Sequence, residues 1–152
     1  MGEAPGSEED KQGLPFVGRA GQLLNSILFS IGLARDEVYI TNVLKCRPPG
    51  NRDPMGEEVI QCEPYLHDQI EHIKPEIIVA MGRFAAQALL KSTVSIAELR
   101  GQRHEYSDLK IPLIVTYHPA YLLRSLLEKK KVWKDLQFAQ SLVDGSENER
   151  SV

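Results

Sequence analysis

Three segments of the chain hold residues whose types and spacing suit chemistry. The first, Gly2 to Gly18, contains four Gly, two Pro and four acidic side chains, Glu3, Glu8, Glu9 and Asp10. A Gly-rich loop leading into a helix can cradle an anion with its backbone N–H groups. The segment matches neither G-x-x-x-x-G-K-[ST] nor G-x-G-x-x-G, so it is not a nucleotide loop of those types. The second segment runs from Asn42 to Pro54 and gathers Lys45, Cys46, Arg47, Asn51 and Arg52. The Asn42 amide offers a donor and an acceptor together, although an Asn closing a strand is also an ordinary turn residue. The third is His118-Pro119-Ala120, where His118 can cap a helix that Pro119 opens. That helix end would also favour negative charge. Arg124, Lys129, Lys130, Lys131 and Lys134 follow it. Such a cation run can meet phosphates, though more often it is a solvated face. On composition alone, Phe16 is a core aromatic.

These segments need a scaffold, and 152 residues suffice for one domain with its own core. The net charge of −3 argues against a globally basic nucleic-acid binder, but the field that matters for such binding is local. No apolar run approaches the ~20 residues of a membrane span. Two Cys cannot make a disulfide scaffold, and as free thiols they suit a reducing cytoplasm. Leu23, Leu24, Ile27, Leu28 and Ile31 mark one helix face over 20–31. Short apolar runs at 38–41, 77–81 and 113–117 predict buried strands. A weaker edge strand is expected at 103–106. Asp53-Pro54 should open a helix that Pro64 breaks or bends. Further helices are expected at 84–90, 96–99, after His118, and over 133–143. Buried strands alternating with helices predict an α/β fold, a three-layer α/β/α sandwich around a central, mostly parallel sheet. Ligands of such sheets lie beyond the C-terminal strand ends, which here lead into Asn42, Gly82-Arg83 and His118. The domain is expected over 1–145, with a disordered polar tail over 146–152.

Three blocks together resemble one family. They are Gly2-Glu3-Ala4-Pro5-Gly6 through Pro15-Phe16-Val17-Gly18-Arg19-Ala20-Gly21, Tyr39-Ile40-Thr41-Asn42 through Pro54, and His118-Pro119-Ala120-Tyr121-Leu122-Leu123-Arg124. In this order they resemble the motifs of the family 4 uracil-DNA glycosylases, over residues 2 to about 143. The resemblance implies excision of uracil from DNA by an enzyme that flips the base into a pocket. It implies Phe16 as the stacking aromatic and Asn42 as the reader of the uracil edge. His118 would hydrogen-bond uracil O2 as charge develops there. Gly2 and Glu3 would border the pocket, with Glu3 positioning water or stabilising the sugar cation. Glu9 would lie where thymine carries its methyl group. Asn51 would lie near the DNA or the pocket. Arg47, Arg52 and Arg124 would contact DNA, and Tyr121 and Leu122 would wedge into the base stack.

The same resemblance implies a [4Fe–4S] cluster held by four Cys, of which Cys46 and Cys62 match the second pair. A C-x-x-C segment preceding the first motif would supply the others, and the sequence has none. A cluster with two of four thiolates would be absent or incomplete. The strand preceding the first motif is expected to be missing as well, leaving a gap or an abnormal edge near Val38–Thr41. The sequence thus supports a monomeric, cytoplasmic uracil-DNA glycosylase. The alternative is a truncated relative that binds DNA without releasing the base.

Overall fold

The computed structural model describes the backbone of residues 1–150 and the side chains of residues 1–145. Its sheet has three strands, β1 (Ile78–Met81), β2 (Arg103–Tyr106) and β3 (Ile111–Thr116), in the order β1-β3-β2. β1 pairs with β3 in parallel, Ile78 opposite Leu113 and Met81 opposite Thr116. β2 closes the other side antiparallel. The fold is therefore α/β as expected, with a small mixed sheet.

Side-chain alternation sends β1 into two cores. Ile78 and Ala80 join Leu113, Val115, Leu66, Ile70, Ala85 and Leu89, beneath α3 (Gly56–Ile73) and α4 (Arg83–Leu90). On the opposite side, Met81 joins Phe16, Leu24 and Leu28 of the segment leading through α2 (Arg19–Ser30). Val79 also reaches the cluster of Leu122, Val132 and Leu136, contributed by α6 (Pro119–Leu122) and α7 (Lys129–Arg150). Both faces of β1 are thus covered by helices, as a strand of continuous apolar residues requires. α5 (Ile96–Leu99) is short and capped by the Ser95 side chain.

The structure departs from the sequence reading in several places. The Gly2–Gly18 segment is not all loop, because α1 (Ser7–Gln12) forms within it. Glu8, Glu9 and Asp10 lie in its first turn, where acidic side chains meet the positive end of the helix. α3 starts at Gly56 rather than beside Pro54, with Glu58 accepting from Met55 N–H, and it passes through Pro64 as one helix. Residues 38–41 form no strand. Apart from the Gly2–Asn42 bridge, the segment has no ladder among the described residues, and a strand is defined by its partner. Gly2 N–H donates to Thr41 O and Val43 N–H to Gly2 O, while Met81 N–H donates to Met1 O. Val38 and Ile40 pack on the α2 core, and a groove of about 490 Å³ opens between them, β1 and α7. The tail expected over 146–152 falls on residues whose side chains, and for 151–152 whose backbone, lie outside the described set. No helix among the described residues is long and apolar enough to cross a membrane.

Candidate active site

The β1 and β3 ends and the bridged pair Gly2–Asn42 bring Gly2, Phe16, Asn42, Gly82 and His118 together. A Cβ on Gly2 would lie 2.6 Å from Asn42 Oδ1 and 2.6 Å from Phe16 Cζ. One on Gly82 would lie 3.1 Å from His118 Cβ. The Phe16 and His118 rings stack at 5.4 Å. Glycine at residue 2 therefore keeps the space between Asn42 and Phe16, and glycine at residue 82 makes room for His118.

Phe16 sits in a left-handed turn, with φ of 53°, a conformation that disfavours bulky residues. Three groups hold it there. Glu9 Oε1 accepts from Val17 and Gly18 N–H, each at 2.9 Å. Arg35 donates to the carbonyls of Phe16 at 2.9 Å and Pro15 at 2.5 Å. Gly21 lets α2 approach, since a Cβ there would fall 1.8 Å from Phe16 O. Burial pushes the Glu9 carboxyl up, but backbone N–H groups led by that of Gly18 outweigh it and hold the pKa below its ordinary value. Glu9 is thus placed as the anchor of the Phe16 turn, a role its position in the motif does not reveal. Glu9→Ala should cost about 1–3 kcal/mol of stability, the worth of hydrogen bonds to a charged acceptor. Chemical denaturation of both proteins checks this. Because its folded pKa is depressed, the Glu9 contribution is present at neutral pH and fades as pH falls through the carboxylate range. Gly21→Ala should also destabilise, by roughly 1–3 kcal/mol through overpacking. Near-ultraviolet circular dichroism should register the displaced aromatic.

His118 caps α6 as expected: its Nδ1 accepts from Ala120 N–H at 3.0 Å. This fixes the neutral tautomer with hydrogen on Nε2, leaving Nε2–H free to donate. Burial lowers the imidazole pKa to about 4, aided by the Met1 ammonium and opposed by Glu9. His118 is therefore neutral at physiological pH. Asn42 is buried, and among the described residues its Oδ1 has no hydrogen-bond partner. A buried acceptor left open is costly, and here it faces the space at Gly2. Glu3 is half-buried, and burial pushes its carboxyl pKa up, with Asp53 adding to this and Arg83 opposing it. Arg83 also lies 3.8 Å from Asp53. Arg83, at the end of β1, lies outside the three sequence motifs and joins the site only through the fold.

The remaining expected site residues are spread more widely. Arg47 Nε donates to Asn51 Oδ1 at 2.7 Å in the Pro49–Asn51 turn. Arg52 is paired with Glu58 at 2.5 Å, which lowers the Glu58 pKa to about 2. Lys45 is not a surface cation of this loop, because its ammonium points inward to Asn42 O, Thr41 and Gln69. Tyr121 is exposed and packs on Tyr117, with centroids 5.0 Å apart. Leu122 corrects the sequence reading: it is 0% exposed in the core under α7 and cannot wedge into a base stack. The neighbouring exposed leucines are Leu123, Leu126 and Leu127, the last 92% exposed. Arg124 is exposed among them.

Cys46 is exposed and Cys62 half-buried, and both line a cavity of about 480 Å³ with Arg47, Glu57 and Gln61. Among the described residues no group of three or more His, Cys, Asp or Glu could hold a metal ion. Two thiols do not meet the four-thiolate demand of a [4Fe–4S] cluster, so these residues alone do not fit one.

The fold and site define an α/β protein whose strand ends bring an amide, an imidazole and an aromatic ring together beside Gly2 and Gly82. The model of the uracil DNA glycosylase superfamily matches residues 1–137, and the chain belongs to that family. It is 51% identical over 129 residues to the Type-4 uracil-DNA glycosylase of Archaeoglobus fulgidus, covering 81% of this chain and 65% of the relative. It is 46% identical to that of Sulfurisphaera tokodaii, covering 85% and 64%. To that of Thermotoga maritima it is 45% identical, covering 94% and 76%. The chain thus spans slightly less than two thirds of the first two relatives.

Proposed function

We propose that the chain is a monofunctional uracil-DNA glycosylase, hydrolysing the N-glycosidic bond of deoxyuridine in DNA to leave free uracil and an abasic site. The observation that carries this reading is the buried, unpartnered Asn42 Oδ1 facing the Gly2 space. An imide N–H is the donor it lacks, and the amide nitrogen can answer the adjacent O4. The Phe16–His118 spacing of 5.4 Å is below the roughly 7 Å that two stacking contacts would need. The base therefore lies against Phe16 with an edge to His118 rather than between the rings. His118 Nε2–H then donates to O2 as the bond to C1′ breaks and the uracil ring takes the electron pair. Water adds to C1′, and Glu3, made more basic by its burial, takes the proton.

The substrate is uracil-containing DNA, with phosphate contacts from Arg47 and Arg124. Arg52 contributes only by exchanging its Glu58 partner. Tyr121, together with Leu123 and Leu127 in place of Leu122, fills the gap the base leaves. The chain acts as a monomer in the cytoplasm. Single- and double-stranded oligonucleotides with one uracil test the reading: incubation followed by alkali should cleave at the uracil, and incubation without alkali should not. Salt-sensitive DNA binding with no alkali-labile site would favour a binding protein that does not release the base.

A further inference from the structure

The geometry points to Lys45 as a positioning residue that fixes the aim of Asn42. This rests on the reading of Asn42 as the base-edge reader. The segment 41–45 lacks a strand ladder to hold it. Its backbone partners all lie on one side: Gly2 takes Thr41 O and Val43 N–H, and Glu3 O accepts from Leu44 N–H. Consecutive carbonyls of an extended chain point to opposite sides, so Asn42 O faces away from Gly2. Lys45 Nζ binds it there at 2.7 Å, and also binds Thr41 Oγ1 at 2.9 Å and Gln69 Oε1 at 2.6 Å.

Those three acceptors use all three donors of the ammonium. Thr41 Oγ1 donates to Gln69 Oε1 at 3.1 Å, closing the network onto α3. On that side the lysine does what hydrogen bonds to a neighbouring strand would otherwise do. It ties the turn to a helix whose Leu66 and Ile70 are buried in the main core. Burial lowers the Lys45 pKa, as expected for an ammonium withdrawn from water and held by neutral acceptors. Asn42 makes no side-chain hydrogen bond through its open Oδ1. The direction of its amide is therefore set by this backbone clamp and by packing. A misplacement of about 1 Å at such a group can cost a factor of about 100 in rate.

The test uses the whole chain, labelled with nitrogen-15, as wild type, Lys45→Met, Lys45→Arg and Asn42→Ala. Lys45→Met keeps the length and removes all three donors. It should shift the Asn42 side-chain amide resonances and speed exchange of the Val43 and Leu44 amides, while β1 and β3 amides keep their protection. Lys45→Arg keeps the charge but cannot converge on three acceptors, so it should shift the same signals; if Lys45→Met does not fold, this variant carries the test. In single-turnover uracil release, Lys45→Met should lower the maximal rate about 10- to 100-fold with little change in half-saturation. In the Asn42→Ala background the same change should add less than about twofold. An unmoved Asn42 resonance, or equal penalties in both backgrounds, would overturn the positioning role. If Asn42→Ala keeps the full rate, the base-reader assignment fails, and the amide signals alone decide whether Lys45 fixes Asn42.

Discussion

Replacing His118 by Ala or Asn should lower the single-turnover rate of uracil release by about 100- to 1000-fold, the usual loss when one preorganised donor to a developing anion is removed. The two substitutions separate chemistry from folding. Ala also removes the α6 cap, worth about 1 kcal/mol, whereas Asn is itself a good cap. Asn ends well short of the imidazole Nε2, so it keeps the helix start and loses the donor. His118→Asn should therefore melt close to the wild type while being as inactive as His118→Ala. The pH behaviour has a definite sign. The imidazole pKa is near 4 in the folded protein and about 6.5 in an unfolded chain. Its contribution to stability is complete above about 6.5 and is lost as pH falls from there through 4. A proton on Nδ1 would also face Ala120 N–H and break the cap. In His118→Asn that part of the acid slope should vanish.

The largest stability effect is expected from Asp135→Ala, at about 3–5 kcal/mol, the cost of leaving one member of a buried ion pair alone. Asp135 is 4% exposed. It takes two bonds from Arg100, at 2.8 and 3.0 Å, and one from Thr116 Oγ1 at 2.7 Å. The Arg100 guanidinium also lies over the Tyr117 ring, 4.5 Å from its centroid. One carboxylate thus fastens α7 to the end of β3, two residues before His118. In a domain of this size the loss corresponds to a fall in Tm of about 6–20 °C, which a thermal melt reads directly. Replacing Arg100 and Asp135 together by Leu should recover much of the stability, because the uncompensated charge is gone. Uracil release should recover less fully, since the Thr116–Tyr117–His118 connection stays unfastened.

What the sequence made legible follows the range of each interaction. Period and run length reveal α2, β1 and β3, whose apolar residues are set by local geometry. His118-Pro119 reveals the start of α6 for the same reason. The segment 38–41 has the composition of a strand, yet strand formation depends on a partner that local sequence does not specify. Lys45 in a polar loop reads as a surface cation, and only its approach to Gln69, 24 residues away, turns it inward. Arg35 and Arg100 were not distinguishable from solvated charges, because their partners lie 20 and 35 positions distant. Leu122 and Leu127 are alike in type, and α7 buries one and leaves the other exposed. Three ordered motifs identify the family, but the clamps that hold Phe16 and Asn42 emerge only from the fold.

Gly2, Phe16, Asn42 and His118 are proposed to form the site from which this chain releases uracil. The most direct measurement is the quantity of free uracil liberated from a single-stranded uracil-containing oligonucleotide by the folded 152-residue chain, set against the abasic sites formed. One uracil per abasic site is expected, and almost none with His118→Asn at equal folded concentration. Absence of free uracil from the folded wild-type chain, or equal release by His118→Asn, would contradict it.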